Sequence, residues 1–394
     1  MAEGEQRVTP LELFFDLVFV FAITQVTGLM SADPTWRGLG QGLLVLTALW
    51  WAWAGYAWLT NTLEPEAVGV RLAMFSAMAA MLLVGLSVPE AFDDDGVLFG
   101  VAYLIVRLLH LWLYKLAGRD DPDLFGAVLR FAPTAIVGPG LIIGAGFLDG
   151  SSQAALWIVA LTLDYLGGLM GRGRGWRVSP AHFAERHGLI VIVALGESVV
   201  ALGIGAAGLT LGVGVVAAAV LGMAVIAALW WAYFDIFAVY ALRRLVDLRG
   251  AARVTLARDY YSYLHLPLIA GVVLFALGLK KSLEHVGEPL AFVPALALTG
   301  GLGFYFLSHV AFRFRLARSY GRGRPVAAVV LFALTPAVTE LPALAALALV
   351  AAVCGSLVVY DLVHYRDERR VVRGGRWEPS RIPLPGTSAP DGPD

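Results

Sequence analysis

Long apolar runs constrain this chain more than any other feature of its sequence. A helix that crosses a bilayer needs about 20 consecutive, mostly apolar residues, and such runs follow one another through most of the 394 residues. The composition agrees, since 59% of the residues are hydrophobic and only 15% are charged, against roughly 25% charged in soluble domains. The sequence therefore predicts an all-α integral membrane protein.

Twelve segments are long and apolar enough to be predicted as membrane-spanning helices. They cover roughly 11–30, 38–60, 70–90, 98–117, 130–148, 153–171, 186–206, 212–240, 260–279, 290–312, 325–338 and 340–362. Pro336 and Pro342 interrupt the last two, which are expected to form either a helical hairpin or one broken helix. The N-terminus lacks a basic stretch and the first run carries acids, so no cleavable signal peptide is predicted.

Basic residues are distributed unevenly between the two sets of connections. Cytoplasmic loops are enriched in Lys and Arg, and with the N-terminus inside these are the loops after even-numbered helices. Those loops and the tail hold Arg172, Arg174, Arg177, Arg243, Arg244, Arg249, Arg253, Arg258, Arg313, Arg315, Arg318, Arg322, Arg324, Arg366, Arg369, Arg370, Arg373 and Arg376. The other side holds Arg37, Lys280, Lys281 and the acidic run Asp93–Asp95. Both termini are therefore predicted to lie in the cytoplasm, in a multi-pass protein of the cytoplasmic membrane.

The basic connection 241–259 has two interpretations. It is predicted as a plain cytoplasmic loop, and the alternative is a short surface helix with its arginines toward lipid headgroups.

A tryptophan-rich motif occurs twice, about 180 residues apart. Ala48–Trp53 has the sequence ALWWAW, and Ala228–Tyr233 has ALWWAY. Upstream of each copy is an apolar segment that opens with an acid, Glu12 in the first and Glu185 in the second. Helix one thus corresponds to helix seven, and helix two to helix eight.

This duplication predicts two six-helix repeats. Because six is even, both halves have the same orientation, which makes the repeat parallel about an axis near the membrane normal. The predicted halves are 1–178 and 179–366, followed by a proline-rich, disordered cytoplasmic tail, 367–394. Two weaker correspondences agree: Asp164 with Asp361 near helix ends, and Arg107 with His309.

Two stretches resemble the signatures of a known family. Residues 9–23, TPLELFFDLVFVFAI, are similar to the opening signature of the bacterial low temperature requirement A family, and Glu185–Leu189 with Ala194–Ser198 resembles its second signature. The resemblance covers roughly residues 7–365. It implies a polytopic bacterial membrane protein, and it implies no substrate, because the family's name describes a growth phenotype. Phe15–Thr24 also has a fainter likeness to the first helix of lysosomal-type potassium/proton channels, which hints at ion permeation.

Acidic residues within predicted spans are the first candidates for a functional site. Glu12 and Asp16 are four residues apart and share one face of helix one. Glu12 is either an interfacial acid at a helix N-terminus, favoured by the helix dipole, or part of a site. For Asp16 a structural ion pair and a proton or cation site remain equally open. Glu197 lies about 18 Å along its helix from Glu185, near the middle of the bilayer, and is either a proton-exchanging acid or a neutral, hydrogen-bonded one.

Basic residues within spans are the second group of candidates. Arg107 and His110 lie three apart on one face of helix four. An arginine there needs a carboxylate, and the candidates are Asp16, Glu197 and Asp164; the pair is either purely structural or part of a solute site. His265 and His309 are interpreted as interior hydrogen-bonded histidines or proton relays.

Residues at the start of helix seven complete the candidate list. Glu185 and His187 stand beside His182, but their spacing does not put the two histidines on one helical face, so no metal site is predicted. The single cysteine, Cys354, excludes an internal disulfide and a cysteine-based metal cage. No cofactor is predicted.

These features favour a secondary transporter or permease of unknown substrate, and the acids within its spans favour coupling to protons. The alternatives are a cation or proton channel and an integral membrane enzyme acting on lipid. The enzyme is less favoured, because no nucleophile or metal constellation appears. The expected partners are the bilayer and a small solute or ion, not nucleic acid; the oligomeric state, including a homo-oligomer, stays open.

Overall fold

The computed structural model describes residues 7–63, 67–169, 175–366 and 369. Its α-helices are α1 (Pro10–Ala32), α2 (Trp36–Leu59), α3 (Val68–Ser87), α4 (Gly96–Ala117), α5 (Pro122–Ala145), α6 (Gly150–Leu169), α7 (Pro180–Ala206), α8 (Val213–Phe234), α9 (Phe237–Asp247), α10 (Gly250–Leu256), α11 (His265–Glu284), α12 (Phe292–Ala317), α13 (Gly323–Val338) and α14 (Ala343–His364). In this described part no strand is present, and the prediction of an all-α protein is confirmed.

Eleven helices of the described residues are long and apolar enough to cross a membrane. The remaining predicted span, 325–338, is the helix α13, whose 16 residues fall short of a full crossing. The two interpretations of the 325–362 region are also resolved, because α13 and α14 are separate helices joined by a short turn. Many large apolar side chains are exposed, among them Val213, Phe147 and Val363, and such a surface fits contact with lipid tails.

The connection 241–259 is helical, so its prediction as a plain loop is wrong. α9 and α10 cover most of it, and a π-helical segment, Ala257–Tyr263, continues to α11. The physical reason is an apolar face with helical spacing: Phe237, Ala241 and Leu245 are all buried. The tail arginines beyond Arg369, and Arg172 and Arg174, lie outside the described residues, as does nearly all of the predicted disordered tail.

The chain divides into two compact units. The first comprises Met1–Val193 and Leu248–Ser262, and the second comprises Ala194–Asp247 and Tyr263–Asp394. The predicted repeat boundary at 178/179 concerns sequence symmetry, which this division by contacts does not test.

Within the first unit the six helices α1 to α6 pack closely. α1 packs on α2 and α3, α2 on α4 and α6, α3 on α4, α4 on α5, and α5 on α6. Small residues permit this approach: a Cβ on Gly100 of α4 would lie 2.8 Å from the Ile143 Cα of α5. Two internal prolines, Pro133 and Pro139, are accommodated within α5.

Within the second unit the closest pair is α11 and α12. A Cβ on Gly271 would lie 2.6 Å from the carbonyl oxygen of Gly301, so the two backbones touch directly. α12 also packs on α13, α13 on α14, and α8 on α14. In the predicted repeat these contacts correspond to α3·α4, α4·α5, α5·α6 and α2·α6. The shared order of packing supports the repeat, which stays a prediction.

The orientation can be tested with single cysteines. Cys354, the only cysteine and a buried one, is first replaced by Ala; Asp94→Cys and Arg249→Cys are then introduced separately at exposed loop positions. In intact cells we expect a membrane-impermeant maleimide to label Asp94→Cys at once, and Arg249→Cys only after the membrane is permeabilised. The reverse pattern would contradict the N-in/C-in prediction.

Candidate functional site

The start of α1 is fixed by a capping box. The Thr9 side chain accepts a hydrogen bond from the Glu12 backbone N–H at 3.4 Å, and the Glu12 carboxylate accepts one from the Thr9 backbone N–H at 2.8 Å. Pro10 occupies the first helical turn, where its missing N–H leaves no helical bond unmade. The Glu12 side chain is thereby held at the positive end of the helix dipole, as one of its two interpretations proposed.

Glu12 also joins α1 to α7, and its side chain is fully buried. The His182 Nε2 lies 2.9 Å from Glu12 Oε1, and the Arg186 Nε lies 3.8 Å from the same oxygen. All three side chains are 0% exposed. The carboxylate is thus part of a buried ionic cluster rather than an interfacial acid facing water.

Asp16 extends this cluster one helical turn further along α1. The Arg186 guanidinium donates to both Asp16 oxygens, with N–O distances of 3.0 Å and 2.9 Å. The Trp53 indole donates to Asp16 Oδ1 at 2.8 Å, and its ring lies 5.7 Å from the guanidinium carbon. A two-point Arg–carboxylate pair is among the stronger polar interactions in proteins, so the cluster fastens α1, α2 and the first half of α7 together.

Glu185 and His187 take different positions beside this cluster. Glu185 is exposed and accepts a hydrogen bond from the Val8 backbone N–H at 3.3 Å. His187 is buried against the rings of Trp53 and Tyr261, and its Nδ1 bonds the Phe183 carbonyl at 2.8 Å. Only His187 of the two therefore belongs to the buried site.

Sequence reasoning did not place His182 and Arg186 in the site. A signal was present in the chain: Thr9-Pro10 and Ser179-Pro180 start α1 and α7 in the same way. Aligned on these starts, Glu12 corresponds to His182 and Asp16 to Arg186, and each pair joins residues 170 positions apart. Complementary charges at corresponding positions thus indicated the contact.

Arg107 pairs with Asp164, the third of its three candidate partners. The Arg107 Nη2 lies 2.8 Å from Asp164 Oδ1, and both side chains are almost fully buried. Arg107 Nε and Nη1 are also buried and have no hydrogen-bond partner among the described residues. Two nitrogens of the guanidinium thus make no hydrogen bond. In a purely structural buried pair we would expect all of the donors to be bonded.

Arg107 lines a cavity of about 70 Å³ in the first unit. Its walls come from α2, α4, α5, α6 and the segment around Arg258, and they include Trp51, Trp58, Phe131 and Trp176. A water molecule needs about 10–15 Å³ of such space, so the cavity has room for several waters or one small solute. It reaches the ends of α2, α4 and α6 that the charge pattern assigns to the cytoplasmic side.

His110 and Tyr114 line the same cavity. Neither ring nitrogen of His110 makes a hydrogen bond of good geometry, although the Gly55 backbone lies against the ring. The Tyr114 hydroxyl is likewise buried without a partner among the described residues. The face shared by Arg107 and His110, predicted from their spacing, is thus a cavity wall.

The remaining candidates lie in the second unit. The Tyr233 hydroxyl and His265 Nε2 are 2.8 Å apart, and His309 Nδ1 lies 2.9 Å from the Tyr305 carbonyl oxygen. Both histidines are buried, in agreement with their interpretation as interior hydrogen-bonded residues. Glu197 is 1% exposed, as a mid-membrane acid should be; its proton-exchange role stays a prediction.

A second cavity, of about 60 Å³, lies in the second unit. Asp361 and Arg324 line it, with an N–O distance of 3.4 Å between them. Asp235 lines it too and pairs with Arg369. In both units an arginine that is paired with an aspartate thus lines the cavity described. Among the described residues, no three His, Cys, Asp or Glu side chains are placed to hold a metal ion.

Comparison with known proteins gives two matches. Residues 7–359 match the family model of the bacterial low temperature requirement A protein (LtrA). A protein of Rhizobium meliloti (strain 1021), itself described as uncharacterized, is 30% identical over 306 residues, which cover 74% of this chain and 73% of that protein. No solved structure matches this chain.

The buried cluster predicts a large stability effect at Asp16. We expect Asp16→Asn to destabilise the purified protein by about 3–5 kcal/mol, because it leaves the Arg186 charge buried without its carboxylate. The measurement is the free energy of unfolding, or the shift in unfolding temperature, followed by tryptophan fluorescence in detergent.

Glu284→Gln is the control for this prediction. It breaks the half-exposed pair of Glu284 with Lys281, which is 2.8 Å long, and should change stability by no more than about 1 kcal/mol. The double variant Asp16→Asn/Arg186→Gln should recover part of the loss. Equal effects at Asp16 and Glu284 would show that the cluster is not a main stabilising contact.

Proposed function

We propose that this chain, which belongs to the bacterial low temperature requirement A family, is a proton-coupled secondary transporter of a small solute in the cytoplasmic membrane. The cavity of the first unit is the observation that carries the proposal. A solute site inside a bilayer needs room, polar groups that can bind the solute, and charges that can change state. The cavity combines about 70 Å³ of space with the buried pair of Arg107 and Asp164.

The two cavities support a transporter built from parallel repeats. When α2 is aligned with α8 on the tryptophan motif, and α5 and α6 with α13 and α14 on Asp164 and Asp361, four corresponding positions line both cavities. The corresponding lining residues are Trp51 and Trp231, Gly55 and Asp235, Ala127 and Arg324, and Gly168 and Tyr365. Transporters with parallel halves are known, and solute sites in such folds lie near the midplane of the bilayer.

The buried carboxyls provide a route for coupling to protons. Asp164 is ionised opposite Arg107 when the pair is closed. A proton on Asp164 would weaken the pair and release the guanidinium toward the cavity, so that proton binding and solute binding become linked. We assign the same kind of proton exchange to Glu197, the buried acid in the middle of α7.

Coupled transport is tested by reconstitution. The purified full-length protein is placed in liposomes that contain a pH-sensitive dye, and an inward proton gradient is applied with panels of organic anions, amino acids and cations. We expect one class of solute to produce a proton influx that saturates with solute concentration. Asp164→Asn should abolish this influx, and Glu197→Gln should reduce it at least about tenfold, since each removes a proton-accepting group.

Asp149→Asn is the matched control, because the same change is made at an exposed residue just before α6. Its solute-dependent proton influx should equal that of the wild type. Solute uptake without proton movement would contradict the coupling. Single-channel currents that need no partner solute would contradict a carrier and favour the channel.

A further inference from the structure

The cavity of the first unit has a surplus of hydrogen-bond donors. Arg107 Nε and Nη1 are donors only, and the Tyr114 hydroxyl has a hydrogen to donate. None of these atoms has a partner among the described residues, and the side chains that carry them are about 1% exposed. Buried donors of this kind are rarely left unpaired in folded proteins, so an acceptor bound in the cavity would satisfy them.

The geometry of the arginine narrows the kind of acceptor. Nη2 of Arg107 is bonded to Asp164, and Nη1 has no hydrogen-bond partner among the described residues. Nη1 and Nη2 form the end of the guanidinium, where two parallel N–H groups match the two oxygens of a carboxylate once Asp164 releases Nη2. The His110 ring next to them can offer a further N–H, since its tautomer is not constrained by a strong hydrogen bond.

The lining of the cavity limits the chemistry and the size of the rest of the ligand. Apart from the polar groups, the lining is mainly aromatic and includes Trp51, Trp58, Phe131 and Trp176. These rings suit an apolar body rather than further charges. The volume of about 70 Å³ is that of about five or six water-sized groups, which excludes large solutes.

Charge balance adds a condition to anion binding. The pair of Arg107 and Asp164 is neutral, so one bound anion would leave a net negative charge in the membrane unless one proton accompanies it. Asp164 is the group placed to take that proton. Other titratable groups near Arg107 are Tyr56 of α2 and, on α4 itself, Tyr103, His110 and Tyr114. Arg258 also lines the cavity and forms an ion pair with Asp259. On α5, Arg130 is exposed.

We propose that this cavity binds a short-chain monocarboxylate, with the carboxylate on the Nη1 and Nη2 edge of Arg107, together with one proton on Asp164. The anion replaces Asp164 as the main partner of the guanidinium, and the protonated carboxyl stays neutral beside it. No bond is made or broken except to the proton. This rests on the proposed transporter for its physiological meaning, but the binding step can be measured without any transport.

Binding to the full-length protein in detergent tests the site directly. Butyrate is compared with butyramide and butylamine, which have a similar size but no negative charge, by the rise in unfolding temperature and by tryptophan fluorescence, because three tryptophans line the cavity. We expect butyrate to bind and the two analogues to bind at least about tenfold more weakly, as they lack the charge-assisted pair. Lowering the pH by one unit should strengthen butyrate binding up to about tenfold while Asp164 is ionised, because a proton is bound with the anion.

Three variants separate the site from its surroundings. Arg107→Gln/Asp164→Asn removes both charges at nearly constant volume and should weaken butyrate binding at least about tenfold and abolish its pH dependence. Ala127→Leu fills the cavity from α5 without changing a charge, and should also prevent binding. Lys281→Gln/Glu284→Gln removes both charges of a partly exposed ion pair that does not line the cavity and should bind butyrate like the wild type.

The possible outcomes test the binding site and the transport function separately. Butyrate binding that survives in Arg107→Gln/Asp164→Asn or in Ala127→Leu, or equal binding of butyramide, would overturn the assignment. Should the double variant fail to fold, Ala127→Leu alone carries the decision. Butyrate binding without proton influx in liposomes would refute the transporter and keep the site, whereas proton influx with another solute and no butyrate binding would refute the site and keep the transporter.

Discussion

A charged side chain inside a bilayer must have a partner, and this requirement organises the first unit. The Arg186 guanidinium lies among apolar helices and is held by Asp16, Glu12 and the Trp53 ring. Removing one partner would leave the others buried without a compensating charge. The positions of α1, α2 and the start of α7 are therefore fixed by the need to keep these groups together, and apolar packing fills the space around them.

The two buried arginines of the first unit are used differently. Arg186 donates to both oxygens of Asp16, and of its three nitrogens only Nε, 3.8 Å from Glu12, lacks a hydrogen-bond partner among the described residues, so the group is suited to structure. Arg107 has one carboxylate and open donors on a cavity wall. The number of donors without a hydrogen bond therefore distinguishes the binding group from the structural ion pair. Burial does not distinguish them, since both residues are buried to the same extent.

The sequence predicted the helices better than it predicted their partners. Hydropathy is a local property, so eleven of the spans and the all-α class could be recognised segment by segment. The partner of Arg107 could only be narrowed to three acids, because contacts between helices depend on packing that one chain does not reveal. Glu185 was a candidate and is exposed, while its neighbour Arg186 carries the ion pair. The helical form of 241–259 was only the less favoured interpretation, because its many arginines are typical of a cytoplasmic loop and its apolar face is narrow.

The pairing of Glu12 with His182 and of Asp16 with Arg186 means that α1 and the start of α7 are not interchangeable. When the two helices are aligned on their Thr-Pro and Ser-Pro starts, the paired residues occupy corresponding positions, so two identical helices in this contact would set acid against acid and base against base. However alike the two helix starts are, each can fill only its own place in the fold.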